Sequence, residues 1–229
     1  MGPEISEIEI PKNIPIMTLP EAVLFPQVIM PLHIFEERYR KMLLDVLDGP
    51  RVFGIATLKQ NEASDPKILE PFHSIGSIGI VRASQSNDDG TSNVLLQGLM
   101  RVRFEQVVQE DPYRIARIQP LQSTTEEQAP YPGMQQLILD LLREKRQNGS
   151  SISDEAMDFL ENIQDPESFI EFASYSACDN LVDKLQLLKT TETLDRFNLL
   201  SDCLTKDIER IRFFKQLQEG LKDEQIGLN

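Results

Sequence analysis

Beyond residue 132 the hydrophobic period of this chain becomes helical and stays so, and that switch limits the fold more than any motif. Up to residue 122 apolar side chains mostly alternate with polar ones, the signature of half-buried strands. From Gly133 onward they recur every three or four residues, as on helices that bury one face. Between the two lies Ser123–Pro132 (STTEEQAPYP), polar and proline-bearing, which reads as a linker. A run of strands followed by a run of helices predicts an α+β chain. The expected parts are a β-rich subdomain over 1–122, a linker over 123–132 and a helical bundle over 133–229.

The front half is organised around Ile14–Leu47. Ile14 and Ile16 alternate before the Thr18-Leu19-Pro20 break, and Phe25-Pro26 ends the next apolar segment because proline donates nothing to a ladder. Val28, Met30 and Leu32 share one side of a strand. The period then turns helical, with Phe35, Tyr39, Met42, Leu43, Val46 and Leu47 on one stripe and Asp48-Gly49-Pro50 as the stop. Arg51–Leu58 reads as a buried strand and Lys59–Pro71 as a loop. Ile75–Ala83 is a strand whose Gly76 and Gly79 suggest a bulge or a close backbone approach. Asn87-Asp88-Asp89-Gly90 is a hairpin turn leading into Ser92–Leu99. Gly98 is expected to break that strand before alternation resumes over Arg101–Glu105, with Val102 and Phe104 inward and Arg101 and Arg103 outward. Asp111-Pro112 turns the chain into a last strand, Tyr113–Leu121. Strands this short expose edges that a closed or half-closed barrel would hide.

In the back half, Met134, Leu137, Ile138, Leu141 and Leu142 form one stripe that ends at Asn148-Gly149. Ser153 reads as an N-cap before Asp154 and Glu155, and Asp165-Pro166 as a second cap with proline in the first turn. Leu181, Leu185 and Leu188 mark a short helix. Thr190 or Thr191 is expected to cap a last one along Phe197, Leu200, Leu204, Ile208, Ile211 and Phe214, with a frayed tail from Gly220.

A net charge of −14 repels phosphate backbones, so nucleic acid is not an expected partner. No apolar run approaches the roughly 18–20 residues of a membrane span, and the acidic N-terminus is unlike a secretory signal, so no membrane is expected and the cytoplasm is the expected location. Cys178 and Cys203 are too few for a disulfide framework and read as buried thiols, though a bridge between them is open. The histidines are His33 and His73. His33 with Glu36 and Glu37 is the nearest thing to a metal cluster, but acidic residues at a helix start are explained by the helix dipole. No G-x-S-x-G occurs, and no cofactor is expected.

Four blocks in the front half resemble the Lon N-terminal domain family, the substrate-recognition domain of Lon proteases. Ile16-Met17-Thr18-Leu19, Val23-Leu24-Phe25-Pro26, Met30-Pro31-Leu32 and Phe35-Glu36-Glu37-Arg38-Tyr39 resemble its opening. Gly76–Val81 and Asp89–Val102 resemble its glycine-bearing strand and hairpin, and Leu185–Phe197 one of its helical segments. One departure is Gln27, which stands where the family often has glycine after the Phe-Pro pair. The resemblance spans roughly residues 12–214. It implies a PUA-like β pseudobarrel with one helix, followed by a helical bundle.

The resemblance also implies a non-enzymatic, stand-alone recognition module. The chain has no G-x-x-x-x-G-K-S/T phosphate loop, and nothing supplies a serine–lysine peptidase motif. The implied partners are unfolded or tagged polypeptide segments, or a protease or ATPase on which the module docks; the alternative is a PUA-like module for a small molecule or RNA. A sticky surface needs exposed aromatics beside polar edges. The candidate residues are Phe25, Phe35, Tyr39, Phe72, Arg101 and Arg103. Phe25, Phe35 and Phe53 read first as core, whereas Tyr39 and Phe72, flanked by Arg38, Arg40 and His73, read as surface. Arg101 and Arg103 could pin a carboxylate or a carbonyl of a peptide, or simply be solvated strand residues with cross-strand ion pairs.

Overall fold

A computed structural model describes residues 9–59, 71–150 and 152–226, with the side chains of the last helix followed as far as Leu217. Most of the expected Lys59–Pro71 loop thus lies outside the described residues. The strands are β1 (Asn13–Leu19), β2 (Ile29–Ile34), β3 (Val52–Thr57), β4 (Ile75–Ser86), β5 (Ser92–Gln109) and β6 (Ile115–Leu121), with helix α1 (Glu37–Leu47) between β2 and β3. They form one sheet in the order β2-β5-β4-β3-β1-β6. β6 pairs again with the far half of β5, from Arg101↔Leu121 to Gln109↔Ile115, so five strands close into a ring. β2 is an addition outside that ring, paired from Ile29↔Gln97 to Ile34↔Ser92 along the near half of β5. This closed ring with an added ribbon is the expected pseudobarrel.

β5 can serve both partners because it does not stop at Gly98. The missing side chain there lets the Phe25–Gln27 turn cross the strand. A Cβ on Gly98 would collide with the Phe25 carbonyl. The Gly98 amide instead donates to the Val28 carbonyl (2.9 Å), and the Gln27 amide to the Gly98 carbonyl (2.8 Å). Glycine therefore admits a second backbone rather than ending the strand.

The helices are α2 (Tyr131–Gln147), α3 (Asp154–Glu161), α4 (Pro166–Ala177), α5 (Leu181–Lys189) and α6 (Thr193–Ile226). Their starts are chemically marked. Ser153 accepts from the Ala156 amide (3.2 Å) and Asp165 from the Ser168 amide (2.8 Å), with Pro166 in the first turn. Asn180 accepts from the Val182 amide at the start of α5 (2.8 Å). The last helix starts later than expected, because residues 191–193 are held in extended pairing with Thr124. The Thr124 amide donates to the Thr191 carbonyl and the Thr193 amide to the Thr124 carbonyl. α6 also runs unbroken past Gly220 to Ile226.

Three apolar clusters result. One fills the ring, around Ile14, Ile16, Ile78, Ile80, Val102 and Phe104. A second lies under α1, where Tyr39, Met42, Leu43 and Val46 meet Met30, Ile34, Val94 and Leu96. The third is the helical core, and it takes in Val23, Phe25, Val28 and Ile75 from the sheet side. Phe25 alone, wholly buried, contributes about 2–3 kcal/mol of burial there. Cys178 and Cys203 are both buried free thiols.

Candidate functional site

The β2–β5 ribbon has two faces, and only one is covered. Met30, Ile34, Val94 and Leu96 point to α1. Strand alternation then sends Ile29, Pro31 and His33 to the opposite face, opposite Gln97, Leu95 and Asn93 in register. On this face Ile29 is 48% and Leu95 42% exposed. Ala83 and Gln85 of β4 widen the row, and with Pro31, His33, Asn93 and Leu95 they line a concavity of about 520 Å³. The His33 ring shares a hydrogen bond with Asn93 (2.9 Å) and stacks on Phe35, with ring centroids 6.1 Å apart.

At its other end the row runs into the helices. Ile29 and Gln97 face Ala156, Phe159, Leu160, Phe172 and Tyr175 across a cleft of about 550 Å³. Phe159 and Phe172 pack edge to face at 4.8 Å, and Phe159 stays half exposed. From Ile29 to Phe35 is six residue-to-residue steps, so the track is about 20 Å long before the cleft is added.

Two devices hold α4 against the ribbon. Ser168, Phe172 and Tyr175 lie at helical spacing on the cleft side of α4. Ser168 Oγ donates to the Gln27 side-chain oxygen at 2.6 Å. Gln27 reaches it from a left-handed backbone, φ 65°, the conformation that glycine serves at lowest cost. One turn along the same helix, on the flank next to Ser168 and Tyr175, Glu171, with no exposed surface, accepts two hydrogen bonds from Arg101 of β5 (2.7 and 2.8 Å) and one from Arg196 of α6. The Arg101 Nε donates to the Leu188 carbonyl (3.0 Å). Sheet, α4, α5 and α6 thus meet at one buried ionic cluster.

The electrostatics of the rim are simple. The Glu155 carboxyl is held below the usual carboxylate range by backbone amide hydrogen bonding in the first turn of α3 and by the Ser153 hydroxyl. Thr91 holds Asp89 low through its hydroxyl and its amide (2.7 and 2.9 Å). Burial pushes the Tyr175 hydroxyl up. Among the described residues no group of three His, Cys, Asp or Glu side chains could hold a metal ion. What the site offers is apolar and aromatic area beside the outer edge of β2, which pairs with no strand among the described residues.

The sequence matches the family model of the ATP-dependent protease La (LON) substrate-binding domain over residues 13–206. The chain belongs to that family. It is 26% identical over 216 residues to a Lon protease of Dictyoglomus thermophilum, covering 94% of this chain and 27% of that protein. A Lon protease of Flavobacterium johnsoniae is 27% identical over 225 residues, covering 96% of this chain and again 27% of the relative. The chain therefore spans about a quarter of the length of these relatives. The N-terminal domain of a Mycobacterium avium complex Lon protease shares the fold with TM-score 0.61 at 14% identity, over 85% of this chain and 98% of that one. A Lon N-terminal domain protein from Xanthomonas campestris gives TM-score 0.61 at 17% identity, over 82% and 96%. The resemblance read from the four sequence blocks is borne out. The matched region is the substrate-binding domain, and no helix among the described residues is long and apolar enough to cross a membrane.

Within this Lon-type domain the candidate residues scatter. Phe35 is 62% exposed and caps the track, against its core reading: α1 begins two residues later, so Phe35 is outside the helical stripe. Phe25 and Phe53 are wholly buried. Tyr39 corrects its surface reading. It is 4% exposed, and its hydroxyl is tied to the Thr18 carbonyl and amide (both 3.1 Å). Phe72 is half buried against Phe104 on the ring, under Arg114, away from the track. Arg101 is 1% exposed and serves Glu171, neither a free ligand nor a solvated strand residue. Arg103 is exposed on the far half of β5, opposite Gln119. Ile29, Leu95 and Phe159 were not singled out in the sequence. Their signal was negative: each is an apolar residue off its own element's stripe.

Proposed function

We propose that this chain is a non-catalytic recognition module that captures extended, apolar polypeptide segments on the β2–β5 track and in the α3–α4 cleft, for a Lon-type proteolytic machine. The observation that supports it is the continuity of the exposed row Phe35, Pro31, Leu95, Ile29 and Phe159, which leads from an open ribbon into an aromatic-walled cleft. Such a surface meets varied side chains with area rather than with directional hydrogen bonds, which suits unfolded clients. Each of these side chains has roughly half its area still to bury, worth about 1 kcal/mol apiece.

The test is fluorescence anisotropy with labelled casein as an unfolded client. Leu95→Ser with Phe159→Ser should weaken binding about tenfold or more. Leu137→Ser, on an exposed part of α2 away from the track, should not. Parent-like affinity in the double variant, with its far-ultraviolet circular dichroism intact, would refute the site. ATP hydrolysis or casein cleavage by this chain alone would refute the non-catalytic reading.

A further inference from the structure

We propose that the preferred occupant of the track is an apolar segment of about six residues flanked on both sides by lysine or arginine. The proposal rests on the recognition reading above and adds a charge rule to it. The track is apolar along its middle and acidic at its two ends. At the cleft end stands Glu155, exposed in the first turn of α3 and lining the opening. At the ribbon end stand Asp88 and Asp89, exposed in the β4–β5 turn beyond His33 and Asn93.

None of these three carboxylates has an ion-pair partner among the described residues. Two of the four acidic residues of α3 are paired and two are not. Its Asp154 is paired with Arg146 (2.5 Å) and its Glu161 with Arg143 (2.6 Å), whereas Asp158 and Glu155, of which Glu155 lines the cleft, have no ion pair among the described residues. The cations nearby make other contacts and no ion pair with these carboxylates. Arg82 donates to the Gln97 side chain (2.6 Å), Lys184 sits over the Tyr175 ring (5.5 Å to its centre), and Arg40 approaches the turn at Gly90 from the α1 side. The Asp89 carboxylate spends its hydrogen bonds on Thr91 and keeps its charge.

A ligand strand about six residues long spans the apolar part, so residues just outside it fall beside the free carboxylates. Basic flanks gain there, and acidic flanks meet like charge that no ion pair neutralises, so discrimination comes from repulsion as well as attraction. The net charge of −14 adds a long-range field of the same sign.

Three labelled peptides test this, sharing one six-residue apolar core and carrying Lys-Lys, Ser-Ser or Glu-Glu on both sides. At low salt the lysine-flanked peptide should bind about fivefold tighter than the serine-flanked one, the size of two exposed ion pairs, and the glutamate-flanked one weaker still. Near 0.5 M salt the spread should shrink to under twofold. Asp88→Lys with Glu155→Lys should reverse the order of the lysine- and glutamate-flanked peptides; Asp89 is spared because it braces the turn. If the serine-flanked peptide binds and loses affinity on Phe159→Ser, yet the three flanks agree within twofold, the charge rule is overturned and the recognition site stands. If none of the three binds, the recognition reading fails and takes the rule with it. Self-association of the chain that Phe159→Ser abolishes would assign the track to a second copy and overturn the proposal.

Discussion

Replacing Glu171 with glutamine tests whether the buried ionic cluster is the bolt between sheet and helices. The change keeps shape and volume and removes one charge. Glu171 is wholly buried, and Arg101 and Arg196 are each 1% exposed. With Glu171 neutral, the remaining carboxylate at hand is Glu167, 3.5 Å from Arg196 and 35% exposed, which is too far off and too wet to compensate two guanidinium groups. An uncompensated buried charge costs about 3–5 kcal/mol. The amide still offers one oxygen to Arg101, so the expected loss is about 4 kcal/mol. For a chain of this size that is a fall in Tm of roughly 8–16 °C. Urea unfolding of Glu171→Gln, Arg101→Met and the Arg101→Met/Glu171→Met pair forms a cycle. Glu171→Gln should move the midpoint strongly, and the double variant should cost less than the sum of its single changes by about 2 kcal/mol. A loss under 1 kcal/mol for Glu171→Gln, or strict additivity in the cycle, would refute the bolt.

Three further outcomes follow from local geometry. Gln27→Gly relieves about 1 kcal/mol of left-handed strain and loses about as much in the Ser168 hydrogen bond, so it should be nearly neutral, while Gln27→Ala keeps the strain, loses the bond and should cost about 1–2 kcal/mol; thermal melts giving the opposite order would contradict this. Gly76→Ala places a Cβ against the Ile55 carbonyl and 2.6 Å from the Phe104 ring, and should cost about 3 kcal/mol by urea titration, since that backbone cannot give way. Burial, with Asp183 adding to it, pushes the Cys178 thiol up to about 11 and the Cys203 thiol up to about 12. At pH 8 both should react with a thiol-specific disulfide roughly 100-fold slower in the native chain than in the unfolded one. Because unfolded thiols ionise first, near pH 8.5, this stabilisation is fully present below that value and is lost as pH rises towards 11–12; a urea midpoint that does not fall between pH 8 and pH 10.5 would contradict it.

What the sequence shows well is what neighbours along the chain decide. The period switch, the α1 stripe from Tyr39 onward, the Ser153 and Asp165 caps and the Asn87–Gly90 turn are all local, and all appear where expected. What it misplaces depends on which element covers which face. Val102 inward does put Arg101 outward, but outward from the ring at that point means towards α4 and α6 rather than towards water. Tyr39 has cationic neighbours in sequence, yet its hydroxyl finds Thr18 of β1, twenty-one residues back. Gly98 reads as a strand breaker until the Phe25–Gln27 turn is seen to cross it.

The same reasoning explains why the candidate site belongs to neither half alone. The ring contributes a ribbon with one bare face, the bundle contributes Phe159, Phe172 and Tyr175, and the cleft exists only where the Val23–Val28 segment is packed into the helical core. Gln27 is the joint. A glycine there would make the turn with less strain but would have no side chain to reach Ser168, and α4 would lose its polar tie on the cleft side. The buried Glu171 cluster holds the same helix one turn further on, so α4 is tied at two successive turns while its aromatic residues stay at the opening. A recognition surface that must accept varied segments gains from rigid walls, because ordering the walls on binding would otherwise cost about 0.5–1.5 kcal/mol for each side chain immobilised.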